Sequence, residues 1–414
     1  MHHNVTRRAL LGSAAAATVA GLIPTRLLAA TNINYWHTFA SQVEVGAFGE
    51  TMKLFYDKHP DIQVAMETVP NKDFMQKITA AVVANSKPDT AMVAGSRFAD
   101  MKAMGALVDL TDRIETWNRA GDFSQVCWDG ISADGHKYGI ASFSFVSWMY
   151  YRKDWFDEAG ITSPPDTLED FLDAAMKITD PSKNRYGFGM RGGDGGHQHL
   201  IETIRAYGSP IVQDGKPAID KAKAVEAVKF YSELFTKYKV TPPSAPNDSF
   251  QQIMAGFKTG QTGMIWHHTG SLAEIQKALP NGEFNTAIRS AGPAARIAEV
   301  QFQYNSILND RNADASWEFL SFWGEPDAAI SWLQQTGYFP ASLVAAKDKR
   351  ITDNPIYTPA SQTLDFGVPA PQFAGYDGWA RTKAMPEFQK VLIGQATPEQ
   401  AVDAMMAALD KVLL

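Results

Sequence analysis

Residues 33–69 have the sequence INYWHTFASQVEVGAFGETMKLFYDKHPDIQVAMETV, in which two strand patterns flank a helix pattern. Residues 33–36 and 62–69 are short runs of aromatic, β-branched and other apolar side chains, which are typical of strands. Between them, four apolar residues recur at the spacing of one helix face: Val45, Phe48, Met52 and Phe55. A helix pattern over 74–84 and a strand pattern over 90–93 follow. This β-α-β-α-β order predicts a mainly parallel sheet covered by helices.

The rest of the chain continues this alternation, without a low-complexity linker or an internal repeat. Strand patterns occupy residues 139–151, 186–190 and 263–266, and helix patterns occupy 167–178, 222–238, 313–323, 327–335 and 399–413. Thr167 suits the N-cap of its helix, and Thr397 with Gln400 forms the sequence of a capping box. The sequence therefore predicts an α/β protein.

The first thirty residues have the three parts of a secretory signal peptide. A short basic segment contains Arg7 and Arg8, an apolar segment covers 9–24, and small residues at 28–30 suit cleavage. The paired arginines further indicate a twin-arginine export signal. The apolar segment is too short to span a membrane, which needs about 20 apolar residues. We therefore expect an exported protein with residues 1–30 removed.

Charge and cysteine content exclude several classes of protein. The net charge of −7 becomes −10 once the three arginines of the signal are removed. Such an acidic chain argues against binding nucleic acid or anionic membranes, which requires a basic face. Cys127 is the one cysteine, so neither an internal disulfide nor a cysteine-based metal cluster can form. The core alone must stabilise the fold.

Several short segments resemble, in their order and spacing, the extracellular solute-binding proteins of ABC importers, the family of the maltose- and glycerol-3-phosphate-binding proteins. The matching segments are residues 33–38 (INYWHT), 55–62 (FYDKHPDI), 87–89 (KPD), 139–153, 167–171, 263–264, 336–340 (TGYFP) and 394–401. The resemblance extends over essentially the whole chain after residue 30. It implies a two-lobed periplasmic-binding-protein fold, in which a hinge joins two lobes that each contain a mainly parallel sheet flanked by helices.

The resemblance also implies lobe boundaries and a function. The N-lobe is expected to comprise 31–142 and 302–337, and the C-lobe 143–301 and 338–414. A sugar bound between the lobes would stabilise the closed form and be delivered to the membrane permease of an ABC importer with a cytoplasmic ATPase. The protein would be a periplasmic monomer without cofactor, metal or catalytic activity. Its ligand is expected to be an anionic or glycerol-bearing glycoside such as sulfoquinovosyl glycerol.

Candidate ligand-binding residues from the first half of the chain follow predicted strands, because open α/β sheets bind ligands at the carboxyl ends of their strands. They are His37, Ser41 and Gln42 after the first strand, Ser96 and Arg97 after the third, and Ser144 in the first crossing between lobes. Turn formation and helix capping are the alternative roles of the first three residues. A strand with alternating polar faces would equally explain Ser144.

Candidates from the second half begin with His268 and Thr269, at the end of a strand, and Tyr304 in the second crossing. His267 and His268 would point to opposite faces of a strand, which argues against a shared metal ion. Trp379 and Arg381 match the family pattern of a stacking aromatic followed by an arginine. Core packing is the alternative for Trp379, and pairing with Asp377 is the alternative for Arg381.

Residues 187–192 (GFGMRG) match the G-x-G-x-x-G pattern, but the following helix ends too early for a dinucleotide-binding unit. We expect instead a loop whose free N–H groups hold an anionic group of the ligand, with Gly192, Gly193 and Asp194 as the binding residues.

An exported carbohydrate hydrolase is the alternative function. It would need two carboxylates flanking one glycosidic bond, for which Asp134, Asp194 and Asp377 are candidates. No nucleophile elbow, metal-binding helix or Walker loop is present in the sequence. A surface adhesin, which would bind without closure of a hinge, is a third possibility.

Overall fold

The computed structural model describes residues 30–39, 41–71 and 73–413. The predicted signal peptide therefore lies, except for its final residue, outside the described residues. In the described part of the chain, no helix combines the length and the apolar composition that crossing a membrane requires.

The strands form one continuous sheet system and two small hairpins. Their bounds are β1 Thr31–His37, β2 Ile62–Thr68, β3 Thr90–Ala94, β4 Ser132–Ala133, β5 His136–Lys137, β6 Ile140–Arg152, β7 Tyr186–Gly189, β8 Val212–Gln213, β9 Lys216–Pro217, β10 Thr262–His268, β11 Phe284–Ala287, β12 Val300–Ile307 and β13 Phe339–Pro340. β4 pairs with β5 and β8 with β9 as the hairpins.

The α-helices cover both faces of the sheets. Their bounds are α1 Gln42–Lys58, α2 Phe74–Val83, α3 Phe98–Ala103, α4 Thr111–Thr116, α5 Gln125–Asp129, α6 Lys153–Glu158, α7 Leu168–Ile178, α8 His197–Ala206, α9 Lys221–Thr236, α10 Phe250–Lys258, α11 Leu272–Ala278, α12 Ala313–Trp323, α13 Pro326–Thr336, α14 Leu343–Ala346, α15 Lys349–Thr352, α16 Thr358–Phe366, α17 Tyr376–Trp379, α18 Met385–Leu392 and α19 Pro398–Leu413. A π-helical turn, Ala380–Ala384, joins α17 to α18.

The first sheet has the strand order β2-β1-β3-β12-β6, with β13 on the outer side of β6. β1 runs parallel to both β2 and β3, as the alternating pattern of residues 33–93 predicts. β12 returns antiparallel to β3 and to the first half of β6.

The second sheet is built on the other half of β6. Residues 147–151 of β6 pair antiparallel with β10, and residues 149–152 pair antiparallel with β11. β7 then runs parallel to β10. A single strand therefore belongs to both sheets, as a connection between two lobes requires.

Alternate residues of the shared strands enter two different hydrophobic cores. Trp148 and Tyr150 of β6 pack in the first core, which also contains the buried side chains of the first sheet. Met149 and Tyr151 pack in the second core. Ile265 of β10 belongs to the first core, and both of its neighbours in the strand belong to the second. Successive side chains of a strand point to opposite faces, so the apolar run of β6 is buried on both sides.

The predicted α/β fold of the periplasmic-binding-protein type is confirmed, including its local signals. Thr167 caps α7 in a capping box with Asp170. The backbone N–H of Thr397 donates to Gln400, and the N–H of Gln400 donates to the Thr397 hydroxyl, at the start of α19. The lobe boundaries expected from the resemblance stay a prediction.

Replacing Gly187 of β7 by alanine should destabilise the fold by about 1–3 kcal/mol, the usual penalty for overpacking. A Cβ atom at this position would lie 2.2 Å from the carbonyl oxygen of Ala175 in α7, and backbone cannot easily move aside. Urea unfolding would measure the change.

Gly46→Ala is the matched control, since Gly46 is exposed in α1 and a Cβ there meets nothing within 4 Å. This substitution should raise stability by about 0.5–1 kcal/mol through helix propensity. Equal effects of the two substitutions would contradict the close packing of β7 on α7.

Candidate functional site: a polar cleft between the two sheets

A cleft of about 750 Å³ lies beside the crossing strands, where the ends of β1 and β3 face the second half of the chain. This is the size of a small-molecule site. Its polar lining includes five side-chain amides, namely Asn71, Gln198, Gln301, Gln303 and Gln372. Such groups can both donate and accept hydrogen bonds, so they suit a ligand with several hydroxyl groups.

The wall nearest the first sheet presents an oriented arginine. Arg97 follows β3, and its Nη2 donates to the carbonyl oxygen and the Oδ1 of Asn71 at 2.9 and 2.7 Å. Its guanidinium also lies over the ring of Phe74, 5.3 Å from the centroid. Burial lowers the pKa of Arg97, and the charge of Asp377 across the cleft counteracts this effect. Because Asn71 is neutral, the positive charge of Arg97 is not cancelled by its bonding partner.

The opposite wall presents a second arginine, whose guanidinium is hydrogen-bonded to two carboxylates. Arg381 donates from Nε to Asp377 at 2.8 Å and from Nη1 to Asp194 at 3.1 Å. Burial acts to lower the pKa of Arg381, but its bonds to the two carboxylates outweigh this effect and raise it. The side chain remains 40% exposed, so it can still reach a ligand. The charge of Arg381 in turn lowers the pKa of Arg97.

One hydrogen bond joins the two walls directly. The backbone N–H of Gly375, which precedes α17, donates to Asp100 of α3 at 3.1 Å. Gly375 has a φ of +85°, a left-handed conformation that glycine adopts readily. This contact holds the cleft walls together at one edge.

Aromatic side chains form part of the floor. Tyr338 lies 4.7 Å from Phe145 and 5.1 Å from Phe143, measured between ring centroids. The Tyr338 hydroxyl donates to Glu44 at 2.9 Å, and the Tyr304 hydroxyl donates to the carbonyl of Cys127 at 2.6 Å. Aromatic faces beside amide groups suit a sugar, which has both apolar C–H patches and hydroxyls.

A buried ion pair lies behind the floor. Glu202 of α8 is 3.5 Å from Arg289, whose guanidinium stacks 3.6 Å from the ring centroid of Trp266. Glu202 also lies 3.2 Å from Nδ1 of His199. Burial alone would raise the pKa of Glu202, but Arg289 and His199 lower it to about 2. Glu202 is therefore a fixed negative charge at neutral pH.

Glu299 lies between this ion pair and the cleft. It is 4% exposed, and it lines both the cleft and a small cavity of about 10 Å³ beside Glu202. Burial, and then the charge of Glu202, raise the pKa of Glu299 to about 7. Sequence analysis missed this residue, because a single acid next to a strand carries no distinguishing pattern.

Four of the candidate residues line the cleft together: Ser96, Arg97, Tyr304 and Arg381. Asp194 is at the rim, with its side chain 80% exposed, and contacts the cleft through Arg381. Residues after the third strand and in the second crossing are thus close to Arg381, although they are far apart in the sequence.

The candidates after the first strand do not line the cleft. His37 is buried among aromatic rings, and its Nδ1 accepts from the N–H of Phe39 at 3.1 Å. Burial lowers the pKa of His37 to about 4. Ser41 caps α1 in a capping box with Glu44, and Gln42 is exposed at the first helical position. Helix capping, the alternative role of Ser41, is what the structure contains, and Thr38 and Glu44 line the cleft instead.

Three further candidates bond within the crossing region instead of lining the cleft. The Ser144 hydroxyl donates to the carbonyl of Phe339 at 3.3 Å. The Thr269 hydroxyl accepts from the N–H of Val146 at 3.2 Å, and Nδ1 of His268 accepts from the N–H of Gly270 at 3.2 Å. The bonds of Ser144 and Thr269 tie β6 to its neighbours, and that of His268 is local to the turn after β10.

The expectation of free amides at Gly192 and Gly193 is corrected by the structure. The N–H of Gly192 donates to Ala245 at 3.0 Å, and the N–H of Gly193 donates to Asp248 at 2.8 Å. Neither N–H is available to an anion, and neither glycine lines the cleft. The loop stabilises the second core instead.

The stacking role expected of Trp379 is also corrected. Its ring is 1% exposed in the second core, and Nε1 donates to the carbonyl of Met405 at 3.1 Å. Tyr376, one helical turn earlier, is also buried in the second core, at 3% exposure, and borders the cleft from there. Residues one turn apart share a face of a helix, so both rings enter the core, whereas Arg381, two positions after Trp379, reaches the cleft.

Within the described ranges, no group of three or more His, Cys, Asp or Glu side chains is arranged to hold a metal ion. The cleft is thus a site of amides, arginines, carboxylates and aromatic rings. Together with two sheets joined by a shared strand, this site defines the class of two-lobed solute-binding proteins.

Comparison with known proteins gives the family. The family described as bacterial extracellular solute-binding protein matches residues 40–330. The chain belongs to this family.

Individual relatives are distant but match over nearly their whole length. A binding protein of Brucella abortus is 25% identical, over 88% of this chain and 89% of its own. The sn-glycerol-3-phosphate-binding periplasmic protein of Pectobacterium atrosepticum is 25% identical, over 98% of this chain and 96% of its own. Both relatives are named as binding proteins.

A solved structure has the same fold. The ABC transporter solute-binding protein of Thermotoga lettingae, bound with α-D-tagatose, superposes with a TM-score of 0.80 at 22% identity. The match covers 93% of this chain and all of the other.

The free energy of unfolding of the wild type should contain a contribution from Glu299 that falls as the pH rises. Glu299→Gln should remove this contribution. The folded pKa of about 7 exceeds that of an unfolded glutamate, which is about 4.3. Between these values the folded chain holds one proton more than the unfolded chain. This contribution to stability therefore falls from about pH 4 to pH 7 and is constant above. Relative to the variant, the wild type should lose about 3 kcal/mol between pH 4.5 and pH 8.

Urea unfolding of both proteins at the two pH values would measure this difference. Glu115→Gln, a substitution at an exposed glutamate, should behave as the wild type does. Parallel pH profiles of the wild type and Glu299→Gln would contradict the raised pKa.

Proposed function

We propose that the protein is the periplasmic binding component of an ABC importer, which captures a sugar derivative with an anionic group in the cleft. The observation that carries this proposal is the convergence of Arg97 and Arg381 from opposite walls onto a cleft rich in amides. Amides suit the hydroxyls of a sugar, and guanidinium groups suit an oxyanion through paired N–H donors.

The relatives support this class of ligand without identifying it. The Pectobacterium atrosepticum protein is named for binding sn-glycerol 3-phosphate, and the Thermotoga lettingae protein was crystallised with a sugar. An anionic or glycerol-bearing glycoside combines features of both ligands. Sulfoquinovosyl glycerol is the specific solute that we propose, because it joins a pyranose, a sulfonate and a glycerol in one molecule.

Closure follows from the position of the charges. An anion between Arg97 and Arg381 would contact both walls and reduce the repulsion between the two guanidinium groups. A ligand shifts an equilibrium by its difference in affinity for two states, so such a bridging anion favours the closed form. The hydrogen bond between Gly375 and Asp100, which joins the two walls, would also favour the closed form.

The predicted twin-arginine signal and the family support a location in the periplasm. The closed, loaded monomer would then be recognised by the permease subunits, and the cytoplasmic ATPase would drive transport. Two lobes on either side of a cleft suit this role, because closure changes the surface that the permease contacts.

Removing either arginine should weaken binding of an anionic glycoside far more than binding of its neutral parent. Arg381→Ala and Arg97→Ala should each reduce affinity for sulfoquinovosyl glycerol roughly 10- to 100-fold. This corresponds to about 1.5–3 kcal/mol for hydrogen bonds to a charged group. Isothermal titration calorimetry with sulfoquinovosyl glycerol and glucosyl glycerol would measure both affinities.

Arg113→Ala provides the matched control. Arg113 pairs with Asp314 at 2.6 Å on α4 and does not line the cleft, so its loss should leave both affinities unchanged. If glucosyl glycerol binds the wild type as tightly as the sulfonated glycoside, the anionic part of the proposal is wrong.

Small-angle X-ray scattering should show a smaller radius of gyration when the solute is bound. The reason is that a solute contacting both walls brings the sheets together. The same measurement on Arg381→Ala at an equal fraction of bound solute should show a smaller decrease. An unchanged radius at saturation would contradict capture by closure.

A further inference from the structure

Glu299 occupies an unusual position at the crossing between the sheets. It immediately precedes β12, and its carbonyl accepts from the N–H of Ser147 in β6 at 2.9 Å. It also bridges to Val368, which leads into the cleft-lining segment 369–372. Any rearrangement of the two sheets therefore acts on the backbone next to this carboxyl group.

The carboxyl group of Glu299 is buried without an ion-pair partner among the described residues. Among the residues that the structure describes, no Lys, Arg or His nitrogen lies within ion-pair distance of it, and its Oε2 has no hydrogen-bond partner. The nearest acid, Glu202, accepts from the N–H of Glu299 at 2.8 Å and is itself paired with Arg289. An unpaired buried carboxylate is strongly unfavourable, so such a group takes up a proton.

The groups that face Glu299 do not offset the effect of its burial. They come from α8, the end of β10 and α17, and are His199, Glu202, Arg205, His267, His268 and Tyr376. Burial lowers the pKa of each of the three histidines, to about 3 for His268, so burial disfavours a positive charge on all of them. Gln301, through a hydrogen bond, and the charge of Arg205 lower the pKa of Glu299, but burial and Glu202 outweigh them. Arg205 itself donates from Nη1 to the carbonyl of Pro369 at 2.8 Å.

We propose that Glu299 is a solute-binding residue that acts as a neutral carboxylic acid, and that capture of an anionic solute is linked to its proton. This inference rests on the proposed function, since it assigns one more binding residue to the same cleft. The neutral acid can donate a hydrogen bond to a solute oxygen, which a carboxylate cannot do. Its ionised form would place a negative charge beside the anionic solute.

The linkage has a definite sign. Burial raises the pKa of Glu299 to about 7, so the acid is mostly protonated at pH 6 and mostly ionised at pH 8.5. Affinity should therefore fall as the pH rises through 7. A sulfonate does not titrate in this range, so with sulfoquinovosyl glycerol the dependence comes from the protein.

Calorimetry of the exported chain with sulfoquinovosyl glycerol at pH 6.0 and 8.5 tests the linkage. The dissociation constant of the wild type should rise roughly 10-fold, and up to about 30-fold if the ionised form does not bind at all. Glu299→Gln, which keeps a neutral donor, should bind at both pH values with about the wild-type affinity at pH 6.0. Two buffers of different ionisation enthalpy should show proton uptake on binding at pH 7.5 in the wild type alone.

Asp100→Asn is the control, since it alters a second cleft carboxylate and should change the affinity but keep the pH dependence. A flat profile in the wild type, or the same slope in Glu299→Gln, would overturn the proposal.

Infrared spectroscopy tests the neutral acid without any solute. A protonated-carboxyl C=O band should be present in the wild type at pH 6.0, decrease at pH 8.5 and be absent from Glu299→Gln. Absence of this band from the wild type at pH 6.0 would overturn the inference. If the band is present but sulfoquinovosyl glycerol gives no heat, the proposed solute is wrong and the neutral acid stands.

Discussion

β6 is 13 residues long and is hydrogen-bonded to neighbours over its whole length, first to β12 and then to β10 and β11. Its alternate side chains enter separate cores, so the packing of either core also fixes the position of the other sheet. The polar residues around this strand reinforce it: Ser144 and Thr269 bond to backbone groups on either side. The cleft lies directly beside this shared strand, so the elements that connect the sheets also form the floor of the site.

The buried pair of Glu202 and Arg289 is the second fixed element of the site. Two charges removed from water are stable only when their geometry and hydrogen bonds are good. Here Trp266 covers the guanidinium, and the backbone N–H of Glu299 occupies one carboxylate oxygen. The pair therefore positions Glu299, and with it the first residue of β12. The charge of Glu202 also raises the pKa of Glu299. One ion pair therefore both positions Glu299 and favours its protonated form.

The sequence predicted the architecture well because the fold follows from periodic patterns and caps, which are local. Its predictions of site residues were less complete, because exposure to the cleft depends on which face of a helix is directed towards it. Trp379 and Arg381 show this: two positions of one segment separate a buried ring of the second core from a guanidinium that lines the cleft. Ser41 and Gly193 bond locally or to backbone, which no pattern of residue types distinguishes from ligand binding. Tyr338 lay within a recognised segment, 336–340, and that segment was the available signal for it.

The two arginines of the cleft are held by different chemistry, and this difference bears on how an acidic protein can capture an anion. Arg381 is neutralised by Asp377 and Asp194, whereas Arg97 bonds only to the neutral groups of Asn71 among its described partners. An approaching anion therefore meets, on the wall of the first sheet, a guanidinium that is not hydrogen-bonded to a carboxylate. Arg381 can bond to the anion only if the anion competes with these two carboxylates. Such competition requires that the cleft narrows and brings the anion close to Arg381. For the proposed solute, initial capture by Arg97 and later engagement of Arg381 would make closure depend on the anion itself. A neutral sugar would lack the interaction that separates Arg381 from its acids, so the arrangement provides selectivity as well as attraction.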